Sequence, residues 1–280
     1  MEGSFLRTPL AKGEFGKSTT MQGKYVHTKV DDHVGWIEIA KPKANTYDHA
    51  MMLELAQAIE AMRFDDEARV LVLSSAVPGF FSAGADIEML KGSQPDFKAM
   101  FCLHCQETLN QFASTPKVVI AAINGHCVGG GLEIALSCDL RMMAKDSGKI
   151  GLPEVTLGVL PGTGGTQRLP RLIGASRALD LMITGRLLTP EEALQVGLVN
   201  YVWPKETFLA ELTQYAKALA HGPARAVSLI KRSVVEGIEM PLASGLALER
   251  ELQNRLFVTE DAKEGLAAFV EKRKPAFKGR

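Results

Sequence analysis

The chain has 280 residues, 46% of them hydrophobic, and its 32 Lys and Arg balance 32 Asp and Glu for a formal net charge of zero. That balance gives no general attraction to nucleic acid or to an anionic membrane, since both call for a basic surface. No apolar run approaches the roughly 18 residues a membrane-spanning helix needs and no apolar signal core is present, so the expected location is the cytoplasm.

In chain order, the first twenty residues mix Arg7, Lys12 and Lys17 with Glu2 and Glu14. This is the composition of a disordered leader rather than of an acid-poor transit peptide, and the leader is drawn over residues 1–22. Apolar runs of strand length follow at VGWIEIA (34–40), RVLVLSS (69–75), KVVIAAI (117–123), DLRMMA (139–144) and LVNYVW (198–203). Helical periodicity lies between several of them, in AMMLELAQAIEAM (50–62) and QPDFKAMFCLHCQETLNQFAS (94–114). The alternation predicts an α/β core over residues 23–204. From Lys205 on, only helical patterns follow (TFLAELTQYAKALAHG, ARAVSLIKRSVVEG, LASGLALERELQNRLFV), so residues 205–280 are expected to form a helical subdomain or an oligomerisation element. Cys102 and Cys105 make a CLHC run, but no second ligand pair stands at zinc spacing. With Cys127 and Cys138 they read as buried free thiols, and no metal site is expected.

Three segments carry chemistry. In NGHCVGGGLEIALSCDL (124–140) a strand runs through three glycines into a helix, where the first N–H groups have no intrahelical partner and favour anionic oxygen. Glu133 falls three residues after Gly130, on nearly the same side of the first turn. The same residues also fit plain close packing, with Glu133 complementing the positive helix end. Upstream, SSAVPGFFSAGADIEML offers a second set of N–H groups around Gly84 and Ala85, just past a strand end, and two such donors make an oxyanion hole. Downstream, GLPEVTLGVLPGTGGTQRLPRLIG places Glu154 in a Pro-containing loop before a glycine-rich turn. Neither the Walker pattern nor the dinucleotide fingerprint GxGxxG is present.

Together these segments resemble the signature regions of the crotonase, or enoyl-CoA hydratase/isomerase, superfamily, from about Val26 to the terminal FVEKRKPAFKGR. The resemblance implies a spiral of ββα turns followed by C-terminal helices that build homotrimers, often paired into hexamers. It implies an acyl-CoA thioester as substrate, with coenzyme A as part of the substrate and no separate cofactor. The oxyanion donors are then the N–H groups of Ala85 and Gly130, and the carboxylate pair is Glu133 and Glu154. Coenzyme A contacts are expected from Lys43 and Ala44 in PKAN, from Ala83 and Ala85 to Glu88 (Asp86, Ile87, Glu88), from Gly130, and from Phe277 and Lys278 in the tail, the latter often serving a neighbouring subunit. On bottom-up grounds Asp86 also fits a helix cap, and Lys43 and Lys278 fit solvated charges.

Two carboxyl groups suit hydration of a C2=C3 bond, which needs a base for the attacking water and an acid for C2. The expected activity is that of an enoyl-CoA hydratase in fatty acid metabolism. Alternatives are an enoyl-CoA isomerase, for which one carboxylate suffices, and a hydratase for a branched or carboxylated acyl chain. A non-catalytic RNA-binding relative is more distant, because the nearest basic helix, LIKRSVVEG, has only Lys231 and Arg232. Where relatives read KALNAL, this chain reads KANTYD, which brings Tyr47, Asp48 and His49 near the expected thioester. Met100, His104 and Cys105 fall on the helix that lines the family's acyl pocket, and His126 is read as structural.

Overall fold

The computed structural model describes residues 20–280; the expected leader lies outside the described residues up to residue 19. Met21 and Gln22 are already paired, for Thr28 N donates to Met21 O at 2.9 Å and Gln22 bridges His27.

The first hairpin joins β1 (Val26–Asp31) to β2 (Val34–Ile39) through Asp32 and His33, both at positive φ, 49° and 64°. Two such residues in a two-residue loop match the right-handed twist of the strands. Helix α1 (His49–Phe64) follows, capped by the Asp48 side chain on Met51 N. The chain then winds into three turns of a spiral, each giving one strand to a large sheet and one short strand to a small sheet before a helix. The first turn is β3 (Val70–Ser75), β4 (Phe80–Ser82), α2 (Ile87–Gly92) and α3 (Pro95–Ser114). The second is β5 (Val118–Ile123), β6 (His126–Val128) and α4 (Gly130–Ser137). The third is β7 (Leu140–Ala144), β8 (Ile150–Gly151), a 3₁₀ turn at Glu154–Leu157, α5 (Gly165–Ile173), α6 (Ala175–Thr184) and α7 (Pro190–Gln195). Strand β9 (Tyr201–Trp203) then completes a six-stranded sheet ordered β1-β2-β3-β5-β7-β9, beside a three-stranded sheet β4-β6-β8. Past the β1–β2 hairpin the strands of both sheets pair in parallel, and β8 adds an antiparallel bridge from Ile150 to Leu188.

Both faces of the large sheet are covered, which explains its unbroken apolar runs. Ile37, Leu71, Leu73, Val119, Ala121 and Met143 point into the main core with α1, α3 and α4. Trp36, Val70, Val72, Ile120, Ala122 and Met142 point the other way and are covered by Phe208, Leu212, Ala216 and Ala220 of α8 (Phe208–Ala220). That four-residue spacing is one stripe of a helix. Helix α8 thus packs as the lid of the sheet, and the remaining helices are α9 (Ala224–Gly237), α10 (Leu242–Phe257) and α11 (Glu260–Val270).

One buried ion pair fastens α9 to the core. Lys231 Nζ lies 2.8 Å from Asp139 Oδ2 and donates to the carbonyls of Phe112 and Lys117, while Asp139 Oδ2 also accepts from Val119 N. Burial pushes the Asp139 carboxyl up and the Lys231 amine down, and their pairing opposes both. Lys231→Met leaves the carboxylate uncompensated, so a loss of about 3 kcal/mol is expected, read as a lower denaturant midpoint at unchanged slope.

Candidate active site

The site forms where the spiral's loops meet beyond the carboxyl ends of β3 and β5, the usual place for ligands in such sheets. Tyr47 and Ala85 form a parallel bridge in which Tyr47 N donates to Gly84 O and Asp86 N donates to Tyr47 O, each at 2.9 Å. Both of those bonds use the neighbours of Ala85, so its own N–H faces away from Tyr47. Gly130 N is close by, because a Cβ built on Gly84 would lie 2.9 Å from it; Gly84, at φ +91°, has to be glycine on both counts. Gly130 is the first residue of α4, where an N–H has no intrahelical partner. Among the described residues neither amide meets a backbone acceptor.

Glu133, one turn along α4, is 2% exposed. Its Oε1 accepts from Thr163 N and Gly165 N, both at 2.7 Å, and its Oε2 accepts from the Thr163 hydroxyl. The glycine-rich PGTGG turn therefore clasps this carboxylate rather than a phosphate. Arg168 Nη1 in turn donates to Thr163 O at 3.0 Å and holds the clasp closed.

Glu154 opens the 3₁₀ turn, and its Oε1 would lie 3.3 Å from a Cβ on Gly129, immediately before Gly130. Its Oε2 is buried without a hydrogen-bond partner. Desolvation, opposed by its own backbone N–H and reinforced by the nearby Glu133 charge, lifts its pKa to about 7. Two carboxyl groups thus stand near the paired amides in unlike surroundings, one surrounded by donors and one in a drier setting that favours its protonated form.

Among the other candidates, Ala44 O accepts from Ala83 N at 2.9 Å, so these two tie the loop before α1 to the segment leading to Ala85. Asp86 caps α2 through Met89 N, while Ile87 and Glu88 are exposed on the first turn. Lys43 is exposed. The buried cation here is Lys41, which reaches Asp48 at 2.7 Å and Asp86 at 3.4 Å and so links the caps of α1 and α2 on either side of the Tyr47–Ala85 bridge. Lys41 holds Asp48 low against the opposing effect of burial, while the Met89 N–H and then Lys41 hold Asp86 low. Phe277 packs on Gly265 of α11, Lys278 Nζ pairs with Glu260 at 3.3 Å, and Lys278 O accepts from Arg69 at the start of β3. The tail thus lies at the amino end of β3, opposite the carboxyl end where the site forms.

His104 faces His49 across the α1–α3 seam, ring centroids 5.2 Å apart, whereas Cys102 and Gln106 are α3 residues beside Gly162 of the glycine-rich turn, Gln106 Nε2 donating to Gly162 O at 2.8 Å. His126 accepts from Lys149 N and lies beside the Phe80 ring. The cysteines are free, and Cys105, Cys127 and Cys138 are buried. Sequence reasoning missed the clasp formed by Thr163 and Gly165, the Lys41 link, and Asn45. Asn45 is fully buried, and its Nδ2 donates to Ser75 Oγ and Phe81 O while its Oδ1 accepts from Lys41 N. Its φ of +49° is a conformation that Asn tolerates better than most residues with a side chain, but Asn in a loop shows this only once the backbone is known.

Paired amides beside a carboxyl acid and a carboxylate are the parts required by an enzyme that carries a carbonyl compound through an enolate. A family model for enoyl-CoA hydratase/isomerase matches residues 29–280. A crystal structure of an enoyl-CoA hydratase from Geobacillus kaustophilus HTA426 matches with a TM-score of 0.92 and 51% identity, covering 94% of this chain and 100% of that one. A probable enoyl-CoA hydratase of Rhizobium meliloti (strain 1021) is 40% identical over 88% of this chain and 95% of its own length. The mitochondrial methylglutaconyl-CoA hydratase of Mus musculus is 38% identical over 84% of this chain and 76% of its own length. The chain belongs to the enoyl-CoA hydratase/isomerase family and has the crotonase fold.

Proposed function

We propose that the protein adds water reversibly across the C2=C3 bond of a 2-enoyl-CoA thioester to give a 3-hydroxyacyl-CoA. The observation that carries this reading is the pairing of Glu133, bound by three donors, with Glu154, raised to about 7. In hydration Glu133 takes the proton of the attacking water as oxygen bonds to C3, and Glu154 delivers its proton to C2. The thioester oxygen carries enolate charge between those events, and the N–H groups of Ala85 and Gly130 stabilise it. In dehydration the roles reverse.

Coenzyme A is assigned to the segment Ala83–Glu88 with Lys43 and Ala44, and a neighbouring subunit's Phe277 and Lys278 are assigned to it as well. The exposed apolar side chains of Ile230, Val234, Ile238, Leu242 and Phe269 on the last helices support a homotrimer or a pair of trimers. Four free cysteines suit the reducing cytoplasm.

Incubation with crotonyl-CoA tests the reading, as hydration removes the absorbance of the conjugated thioester. The proton donor is loaded below its pKa, so kcat/KM for hydration is expected to hold on the acid side of 7 and to fall as pH rises through about 7. No loss of conjugation with crotonyl-CoA, together with conversion of a 3-enoyl-CoA, assigns the protein to the isomerases instead.

A further inference from the structure

Tyr47 adjoins both amide donors and the clasp on Glu133 without belonging to the pair of acids or the pair of amides. Its backbone bridges Ala85, and its ring, 3% exposed, lies over Gly130 so closely that a Cβ there would overlap it. Its hydroxyl lies 3.4 Å from Thr163 Oγ1, the same hydroxyl that reaches Glu133 Oε2.

The direction of these bonds follows from donor counting. A carboxylate only accepts, so Thr163 spends its single hydroxyl proton on Glu133. The Thr163 oxygen then has lone pairs alone to offer Tyr47, and Tyr47 must donate. Burial keeps the phenol protonated far into the alkaline range, so that donor is always present. A Thr163 hydroxyl with no donor beside it is free to rotate away from the carboxylate. Glu133 Oε1 is occupied by two N–H groups, so the lone pair that meets water is on Oε2, and its direction depends on the Thr163 hydroxyl.

We propose that Tyr47 is a positioning residue for Glu133, acting through Thr163: its hydroxyl donates to Thr163 Oγ1 and thereby commits the Thr163 proton to Glu133 Oε2. The inference rests on the hydratase reading, in which Glu133 is the base.

Tyr47→Phe keeps the ring that spaces Gly130 and removes only the donor. It is expected to lower kcat for crotonyl-CoA about three- to tenfold, the range for one neutral hydrogen bond, with KM within about twofold. Thr163→Ala is expected to cost about ten- to a hundredfold, since its hydroxyl bonds a charged group, and Thr163→Ser is expected to restore most of that loss. The deciding measurement is the double variant. With Thr163 already Ala, Tyr47→Phe should cost nothing further, because its effect runs through a hydroxyl no longer present. Equal losses in both backgrounds, or a loss confined to KM, would overturn the proposal by placing the phenol on the substrate. An unchanged kcat in Tyr47→Phe would overturn it too. A wild-type protein unable to hydrate crotonyl-CoA removes the hydratase reading itself, and that result is seen before any variant is made.

Discussion

Glu133→Gln is expected to slow crotonyl-CoA hydration by at least about a hundredfold, the scale on which a positioned base acts, with coenzyme A binding little changed. The substitution is nearly isosteric, and the amide oxygen can keep the bonds from Thr163 N and Gly165 N that now hold Oε1. The amide nitrogen then falls on the Oε2 side, where a proton acceptor is required and none is left. The Thr163 hydroxyl has only to turn to accept from it, so the clasp survives while the chemistry fails. Glu154→Gln should produce a loss of the same order for the complementary reason: an amide has no acidic proton to give C2. Its Oε2 has no partner to lose, so the fold should tolerate the change. The pH profiles separate the two roles. The fall in kcat/KM belongs to Glu154; it should vanish from the residual activity of Glu154→Gln and persist in that of Glu133→Gln, moved to lower pH because the Glu133 charge that helps raise the Glu154 pKa is gone. Full turnover in either variant would remove that carboxyl from the mechanism.

How much of this was legible in the chain depends on the range of the interaction concerned. The large sheet was readable because both its faces are buried, which writes β3 and β5 as unbroken apolar runs. Strands β4, β6 and β8 have three, three and two residues, too few to show any period, so the second sheet could be anticipated only through the family resemblance. The β1–β2 hairpin went unread because its turn is Asp-His and carries no glycine. Helix α8 was read with the C-terminal helices, yet it covers the outer face of the sheet: a helical period shows that a face is buried, not what it is buried against.

The site divides in the same way. Gly130 and Glu133 lie within one helical turn, and local helix-end physics brought them together. Glu154 had no local signature beyond a carboxylate in a Pro-containing loop; its environment is made by residues distant in sequence. The same holds for Thr163 on Glu133, 30 residues apart, and for Tyr47 beside Thr163, 116 apart. Lys43 in PKAN is expected at coenzyme A through the family resemblance and stands in solvent, whereas Lys41, which the structure buries against two aspartates, had no local signal at all.

Gly130→Ala is a further substitution for which a large effect is expected: about a hundred- to a thousandfold in kcat, the usual result of losing one oxyanion donor. The backbone of Gly130 is ordinary helix, so the cause is space rather than φ. The added methyl would overlap the Tyr47 hydroxyl and approach ring atoms Cε1 and Cζ to 2.7 Å. The ring cannot give way easily, being buried with its backbone pinned to Gly84 and Asp86. Either the ring moves, and Ala85 with it, or α4 backs away and carries the Gly130 N–H out of line; both outcomes spoil the convergence of the two amides. Overpacking of this kind also costs about 1–3 kcal/mol of stability, so the melting temperature should fall along with the rate. Trimming the hydroxyl alone leaves the ring carbons in the way, whereas Gly130→Ala combined with Tyr47→Leu should recover stability and part of the rate. Normal turnover in Gly130→Ala would show that this amide does not bear on the thioester oxygen, and the enolate mechanism would lose one of its two supports.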